Sequence, residues 1–458
     1  MNPSLSGRKV AVFGLAKSGV AALRLLVQHG AKVTALDARS EDALGDVAKE
    51  LHARGVTLVT GATPPGLLTR QDLVVVSPGV PLSLPELEAA RTSGVPVWGE
   101  VELAGRFLEG LRFLGITGTN GKSTTTALTG ELYAKAGLRT FVGGNLGRPL
   151  AEAALSPGDW DALVVELSSF QLEGIHQLKP TGAAILNLTP DHLDRYANHA
   201  EYGAAKARIF MNQQGGSDFA VVNADDAAVM GLATSARVPV YGFSVTGRPV
   251  VDAPKLAGLA IAKPGGFELE FAGESYTLTN RSLRGAHNAQ NAMAAALLAR
   301  LGGVATDAVQ AGLDSYPGLA HRLESVRVLD GVEWVNDSKA TNVDSVLVAL
   351  KAFAGDVWLI AGGKGKGAPY APMVEAGRGK VKGVLTIGQD ADVLARAYAN
   401  DAPVHACGTL DAAVRKAREV ARAGDTVLLS PACASYDQFK NFEDRGDTFK
   451  RLVGALRP

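Results

Sequence analysis

The stretch Gly118-Thr119-Asn120-Gly121-Lys122-Ser123 constrains the fold of this chain more than any other. An apolar run, Arg112 to Thr117, precedes it and reads as a buried strand. Thr124 to Ala136 follows and reads as a helix closed by Gly137. Strand, glycine loop, helix is the layout of a phosphate cradle. Glycines let backbone N–H groups approach phosphate oxygens, and a helix N-terminus adds partial positive charge. In such a cradle Lys122 reaches the terminal phosphates and the Ser123 hydroxyl holds magnesium. The match is to Gly-x-x-Gly-Lys-Ser only, since Ile116 stands where the longer pattern has another glycine. The plainer alternative, a glycine-rich turn with a solvated lysine, does not account for the flanking strand and helix.

A chain of 458 residues exceeds one ordinary core, and 47% apolar residues supply several. Lys+Arg and Asp+Glu balance at 46 each, so no global field favours nucleic acid or an anionic membrane. No apolar run reaches membrane-spanning length, and Met1 to Gly14 carries no signal-peptide pattern. Two cysteines, Cys407 and Cys433, form no disulfide framework and suit a reducing, cytoplasmic location.

Lys9 to Phe13 reads as a first strand, followed by Gly14-Leu15-Ala16-Lys17-Ser18-Gly19, a helix to about His29, and a strand from Lys32 ending in Asp37. This βαβ unit has an acid at the end of its second strand, as dinucleotide-binding folds do, but Ala16 replaces the middle glycine of their fingerprint. Further strands are expected over Asp72 to Ser77 and near Val95-Pro96-Val97, with Trp98-Gly99-Glu100 as a hinge. In the next segment Ala162 to Val165 delivers Glu166, and Gly182 to Leu188 delivers Asn187, Asp191, His192 and Asp194. Active groups in parallel sheets gather at the carboxyl edge, so Glu166 and His192 are expected beside the phosphate loop. Taken singly, a strand-end acid is solvated and a lone histidine structural; together they suit metal ligands. From Val240 to Asn280 the text becomes shorter, β-like and turn-rich, and a small subsheet is expected. His287-Asn288-Ala289-Gln290-Asn291 leads into an alanine-rich helix. After Tyr316-Pro317-Gly318 the pattern restarts with strands at Val332 to Val335, Val357 to Ala361, Gly383 to Ile387 and Thr426 to Leu429. Alternating strands and helices predict an α/β protein with mainly parallel sheets and three domains, 1–98, 99–317 and 318–458. On residues alone the reading stops at an ATP-dependent transferase or ligase acting on anionic substrates.

The chain resembles the Mur ligase family of peptidoglycan synthesis across all three domains. The motifs that carry this are Gly118 to Thr124, Glu166-Leu167-Ser168-Ser169-Phe170-Gln171-Leu172, Asp191-His192-Leu193-Asp194-Arg195, His287-Asn288-x-x-Asn291, His321-Arg322, Asn336-Asp337-Ser338-Lys339-Ala340-Thr341-Asn342 and Ser430-Pro431-Ala432-Cys433-Ala434-Ser435. The second and sixth favour a glutamate-adding member, and the Asp-Asn-Pro-Arg run of diaminopimelate-adding relatives does not occur.

The resemblance implies a Rossmann-like N-terminal domain for a UDP-sugar, a central P-loop, ATPase-like domain for ATP, and a Rossmann-like C-terminal domain for an amino acid. It implies an ATP-dependent acid–amino-acid ligase that adds D-glutamate to UDP-N-acetylmuramoyl-L-alanine through an acyl phosphate, as a monomer, with no nucleic acid and no membrane span. It implies that Gly118, Thr119, Asn120, Gly121, Lys122, Ser123, Thr124, Asn288, Asn291, Arg322 and Asp337 hold ATP. Two magnesium ions fall to Ser123, Glu166, His192 and Lys206, with Lys122, Glu166, His192 and Lys206 the catalytic set. Lys17, Ser18, Asp37, Arg39, Gly79, Asn145 and His192 meet the UDP-sugar, and Lys339, Thr341, Lys366, Ser435 and Phe442 the glutamate. Lys206, by its sequence an ordinary helix-surface lysine, is carbamylated in the resembling family. Domain closure about Pro317-Gly318 is a further implication. The rivals are a ligase for another amino acid or for folylpolyglutamate, a nicotinamide oxidoreductase, and a regulatory nucleotide-binding module.

Overall fold

A computed structural model describes residues 4–145, 147–191 and 195–457. The chain forms two compact units, 1–278 with 289–314, and 279–288 with 315–458. His192, with its neighbours Leu193 and Asp194, lies outside the described residues.

The first unit contains two sheets. The N-terminal one comprises β1 (Lys9–Phe13), β2 (Lys32–Asp37), β3 (Thr57–Thr60), β4 (Leu73–Val76) and β5 (Val97–Gly99), in the order β3-β2-β1-β4-β5. All its pairings are parallel. Both faces of such a sheet are covered, so β4 reads Leu-Val-Val-Val and is buried throughout. The helix Lys17–Gln28 packs so close that a Cβ on Gly19 would lie 1.8 Å from the Gly14 carbonyl oxygen. That contact requires glycine at 19.

The larger sheet holds β6 (Arg112–Thr117), β7 (Thr140–Gly144), β8 (Ala162–Glu166), β9 (Gly182–Ile185), β10 (Phe219–Asn223), β11 (Val240–Ser244), β12 (Gly258–Lys263), β13 (Gly266–Leu269) and β14 (Glu274–Thr277). Its order is β14-β13-β12-β11-β10-β9-β6-β8-β7. β6 therefore sits between β8 and β9, the point where strand order reverses and ligands collect at the carboxyl edge. The small subsheet expected over 240–280 is the end of this larger sheet. β11 and β12 extend the parallel sheet, and β13 and β14 finish it antiparallel. The alternating, turn-rich text reflects a half-exposed sheet end rather than a new layer.

Trp98-Gly99-Glu100 is not a loop hinge. β5 runs into the helix Glu100–Gly105 directly, and Gly99 N–H donates to the Gly174 carbonyl at 2.9 Å. Glu102 is fully buried; its carboxylate accepts from the N–H groups of His176, Gln177 and Leu178 and pairs with Arg106 at 2.6 Å. One apolar cluster runs from Leu23 and Leu26 through Leu103 and Phe107 to Leu163 and Val165. Shared burial and the Glu102 clamp together make the two sheets one unit.

The second unit carries β15 (Glu324–Leu329), β16 (Val332–Asn336), β17 (Val357–Gly362), β18 (Val381–Ile387), β19 (Val404–Gly408) and β20 (Thr426–Leu429), in the order β15-β16-β20-β17-β18-β19. β15 pairs antiparallel with β16 and the rest are parallel. Residues 279–288 join this unit. Arg284 forms a bidentate pair with Glu333, and the Asn280 amide donates to the Tyr316 carbonyl.

Candidate active site

In the first unit the phosphate loop follows β6 and opens the helix Lys122–Lys135. The helix starts two residues earlier than its sequence suggests, so Lys122 and Ser123 belong to its first turn. No acid occupies that turn, and the loop-closing Gly121 takes a left-handed φ of 83°. A Cβ on Gly121 would meet Asn291 Oδ1 at 2.4 Å. Asn291, on the helix Ala286–Leu301, also accepts from Thr125 Oγ1 at 3.2 Å, so the structure does bring it to the loop. Asn288 belongs to the other unit, where its amide donates to the Arg284 carbonyl at 3.0 Å.

The loop is braced by a residue to which the sequence gives no role. Asn187 accepts from Asn120 N–H at 2.7 Å and donates to the Asn120 carbonyl at 3.0 Å, and its backbone carbonyl accepts from Thr119 N–H. The strand-end asparagine was legible, but its partner 67 residues away was not. Lys122 Nζ donates to the carbonyls of Gly118 and Thr119 at 2.9 and 2.8 Å. Lys206 Nζ donates to the same Gly118 oxygen at 2.9 Å and lies 4.5 Å from the Tyr202 ring centroid. Lys206 is 1% exposed, which corrects the surface reading. Burial, then the charge of Lys122, lowers its pKa to about 7, against the pull of Asp191 and Glu166.

Glu166 ends β8, paired in register with Ile116 of β6 and Gly144 of β7. It is buried. One carboxylate oxygen accepts from the Asn145 amide at 2.8 Å, and the other has no hydrogen-bond partner among the described residues. A bare, buried carboxylate oxygen one strand from the loop serine fits a hard cation. Magnesium takes few protein ligands and completes its shell with water and phosphate oxygens. Accordingly, no group of three or more His, Cys, Asp or Glu suited to a metal occurs among the described residues.

In the N-terminal sheet, Asp37 accepts from Leu15 N–H at 2.8 Å and from Arg39 through both carboxylate oxygens at 2.9 Å. The Arg39 guanidinium holds its pKa down to about 2. Lys17 and Ser18 open the helix Lys17–Gln28, which has no acid in its first turn. Gly79 faces open space, and nothing around it demands glycine.

In the second unit Asp337 directly follows β16. Its carboxylate accepts from Ser430 Oγ at 2.8 Å and Leu323 N–H at 3.2 Å, and burial raises its pKa to about 7. Arg322 is half-buried nearby in sequence, between His321 and Leu323, two non-glycine residues with positive φ. Lys339 Nζ stands 5.5 Å from the Phe442 ring centroid. Thr341 follows in the same turn, its N–H donating to the Lys339 carbonyl. Ser435 is buried in the loop after β20, while Lys366 is exposed in the glycine loop after β17. Sequence reasoning missed Arg445. It is buried, its pKa is lowered to about 10 by that burial, and it donates to Ser338 Oγ, the Ser338 carbonyl and the Cys433 carbonyl. It thereby ties together the Asn336–Asn342 and Ser430–Ser435 motifs.

The fold and these motifs coincide with known families. Residues 8–99 match the Mur ligase MurD-like N-terminal domain, 116–299 the Mur ligase middle domain, and 321–433 the Mur ligase glutamate ligase domain. The chain is 79% identical over 456 residues to the UDP-N-acetylmuramoylalanine–D-glutamate ligase of Myxococcus xanthus, covering 100% of both chains. It is 55% identical to the ligase of the same name from Anaeromyxobacter dehalogenans, covering 98% of both. Among solved structures it resembles the UDP-N-acetylmuramate-alanine ligase of Thermotoga maritima, with a TM-score of 0.57 and 18% identity, covering 98% of this chain and 100% of that one. A pseudomurein peptide ligase type C from Methanothermus fervidus gives 0.58 and 19% over the same shares. These distant structures share the fold. Matched by models of one family in each of its three sheets, and by curated relatives along its whole length, the chain belongs to the Mur ligase family.

Proposed function

We propose that this chain joins D-glutamate to the carboxylate of UDP-N-acetylmuramoyl-L-alanine at the expense of ATP, in peptidoglycan precursor synthesis. A carboxylate is a poor electrophile. Attack of its oxygen on the γ-phosphorus releases ADP and makes an acyl phosphate. The glutamate amine then attacks the acyl carbon, and phosphate leaves as the amide forms. The first step needs positioning and charge neutralisation more than covalent help.

Gly118 to Thr124 cradle the phosphates, and Lys122 turns from the loop carbonyls to the β- and γ-phosphates. Asn291, and in the second unit Asn288, Arg322 and Asp337, hold the rest of the nucleotide. Ser123 and Glu166 would hold a first magnesium, and His192 and Lys206 would serve a second and the reacting carboxylate. Magnesium, when bound, neutralises charge on the transferring phosphoryl group. Lys17, Ser18, Asp37, Arg39 and Gly79 take the uridine diphosphate, and Asn145 takes the sugar side. Lys339, Thr341, Lys366, Ser435 and Phe442 take glutamate. Lys206 is carbamylated: its neutral amine attacks carbon dioxide, a C–N bond forms, a proton leaves, and a cation becomes an anion. The buried position, with a pKa of about 7, supplies the neutral amine. The enzyme works as a cytoplasmic monomer.

The observation that carries this reading is Glu166, with one oxygen on Asn145 and the other without a hydrogen-bond partner among the described residues, paired in register to the strand of the phosphate loop. A metal site and a sugar site meet there. Phosphate release measured with the UDP-sugar precursor and each amino acid in turn tests it. Release is expected only with glutamate present, and equal turnover with diaminopimelate or lysine would overturn it.

A further inference from the structure

Three loops at the carboxyl edge of the second unit's sheet are joined by a network that no step above uses. The loop after β17, Gly362 to Gly367, carries Lys366. The loop after β20, Ser430 to Asp437, carries Ser435. The loop after β18 carries Asp390. Lys364 and Ala434 exchange both backbone hydrogen bonds, at 2.9 and 3.0 Å, joining the first two loops. Asp390 N–H donates to the Gly363 carbonyl at 3.0 Å, and the Asp390 carboxylate accepts from Gly365 N–H at 3.3 Å. A Cβ on Gly365 would fall 2.0 Å from Asp390 Oδ2, so the loop backbone lies directly on the carboxylate. The buried Tyr370 hydroxyl donates to Asp390 Oδ2 at 2.7 Å and stands 3.0 Å from Cys433 Sγ. One phenol thus contacts side chains of the second and third loops, and through Asp390 reaches the first.

We infer that Asp390 and Tyr370 are positioning residues for the amino-acid substrate. They fix the backbone from which Lys366 extends and register it against the loop bearing Ser435. The exposed Lys366 is long and flexible, and ordering it on a carboxylate costs entropy. A loop held from beneath lowers that cost by confining the lysine's root. Gly365 is glycine because the carboxylate that holds the loop leaves no room for a Cβ. This rests on the reading that Lys366 and Ser435 form the glutamate site.

Tyr370→Phe removes only the hydroxyl, and Asp390→Asn removes the charge while keeping the shape. In the full-length enzyme, steady-state kinetics with each of the three substrates varied in turn should show KM for glutamate rising about five- to tenfold, the effect of one or two lost hydrogen bonds. KM for ATP and for the UDP-sugar should stay within about twofold of the parent, with the melting temperature little changed for Tyr370→Phe. Gly365→Ala should reproduce the glutamate effect. If Asp390→Asn fails to fold, Tyr370→Phe and Gly365→Ala decide. An unchanged KM for glutamate in these variants would overturn the inference, as would equal rises in all three KM values alongside a lowered melting temperature. A parent enzyme that turns over a different amino acid would defeat the glutamate assignment but not the positioning role, which would then be read on that amino acid.

Discussion

Lys206 shows how little a side chain's sequence context says about its charge. Its run, Ala-Ala-Lys-Ala-Arg, is that of a solvated helix, yet the residue is 1% exposed and its Nζ shares the Gly118 carbonyl with Lys122. Burial of Lys206 and a second lysine on the same oxygen favour the neutral amine that carbamylation needs. Lys206→Ala should lose about 100-fold in kcat, the scale of deleting one preorganised charged group, while keeping its circular dichroism spectrum. Adding a short carboxylic acid should restore part of the rate by filling the vacated anionic position. Full activity in the variant would contradict this role. Asp337 makes a second case. Its folded pKa of about 7 lies above the ordinary value of 3.8. The folded chain therefore keeps a proton that the unfolded chain has released, and this contribution to stability, present below pH 4, is lost as pH rises through 7. Asp337→Asn should melt higher than the parent at pH 8, with a smaller gain at pH 5, and should bind ATP more weakly. A melting difference independent of pH would contradict the burial argument.

Strands such as β6 and β8 were legible because unbroken apolar runs ending in a functional residue have few other readings. β15 was not legible, and β12 to β14 were legible only as a β-like stretch without bounds, for the opposite reason. As edge or half-exposed strands they mix polar and apolar residues without a clean period. Site residues divided in the same way. Those inside a strand–loop–helix motif could be read from spacing. The loop brace made by Asn187 and the tie made by Arg445 could not, because their value lies in partners 67 and 107 residues away. Glu102 belongs with them. One buried carboxylate holds three successive N–H groups of the segment after the helix Ser169–Glu173, as well as Arg106. Glu102→Ala leaves those donors and a cation unpaired and should cost about 3 kcal/mol or more in denaturant unfolding. Because the same contacts replace the hinge expected at Trp98 to Glu100, limited proteolysis should then open that junction, which resists cleavage in the parent. Unaltered stability would show that the clamp contributes little.

At the scale of the whole molecule, the proposed ligand residues fall on three sheets, and the phosphate loop occupies the point in the largest sheet where strand order reverses. No helix among the described residues is long and apolar enough to cross a membrane, and the charge balance gives no general attraction to polyanions. Affinity for three anionic reactants must therefore come from local devices, and the loop N–H groups, Lys122, Arg39 and Lys366 are those proposed above. On the proposed mechanism these devices let a substrate carboxylate capture the γ-phosphoryl group before the glutamate amine displaces it. The direct measurement uses UDP-N-acetylmuramoyl-L-alanine labelled with ¹⁸O in its carboxylate, together with ATP and D-glutamate, and weighs the released phosphate by mass spectrometry. The account predicts one labelled oxygen in each phosphate and an amide product that has lost it. Phosphate free of label, with amide formed, would contradict it.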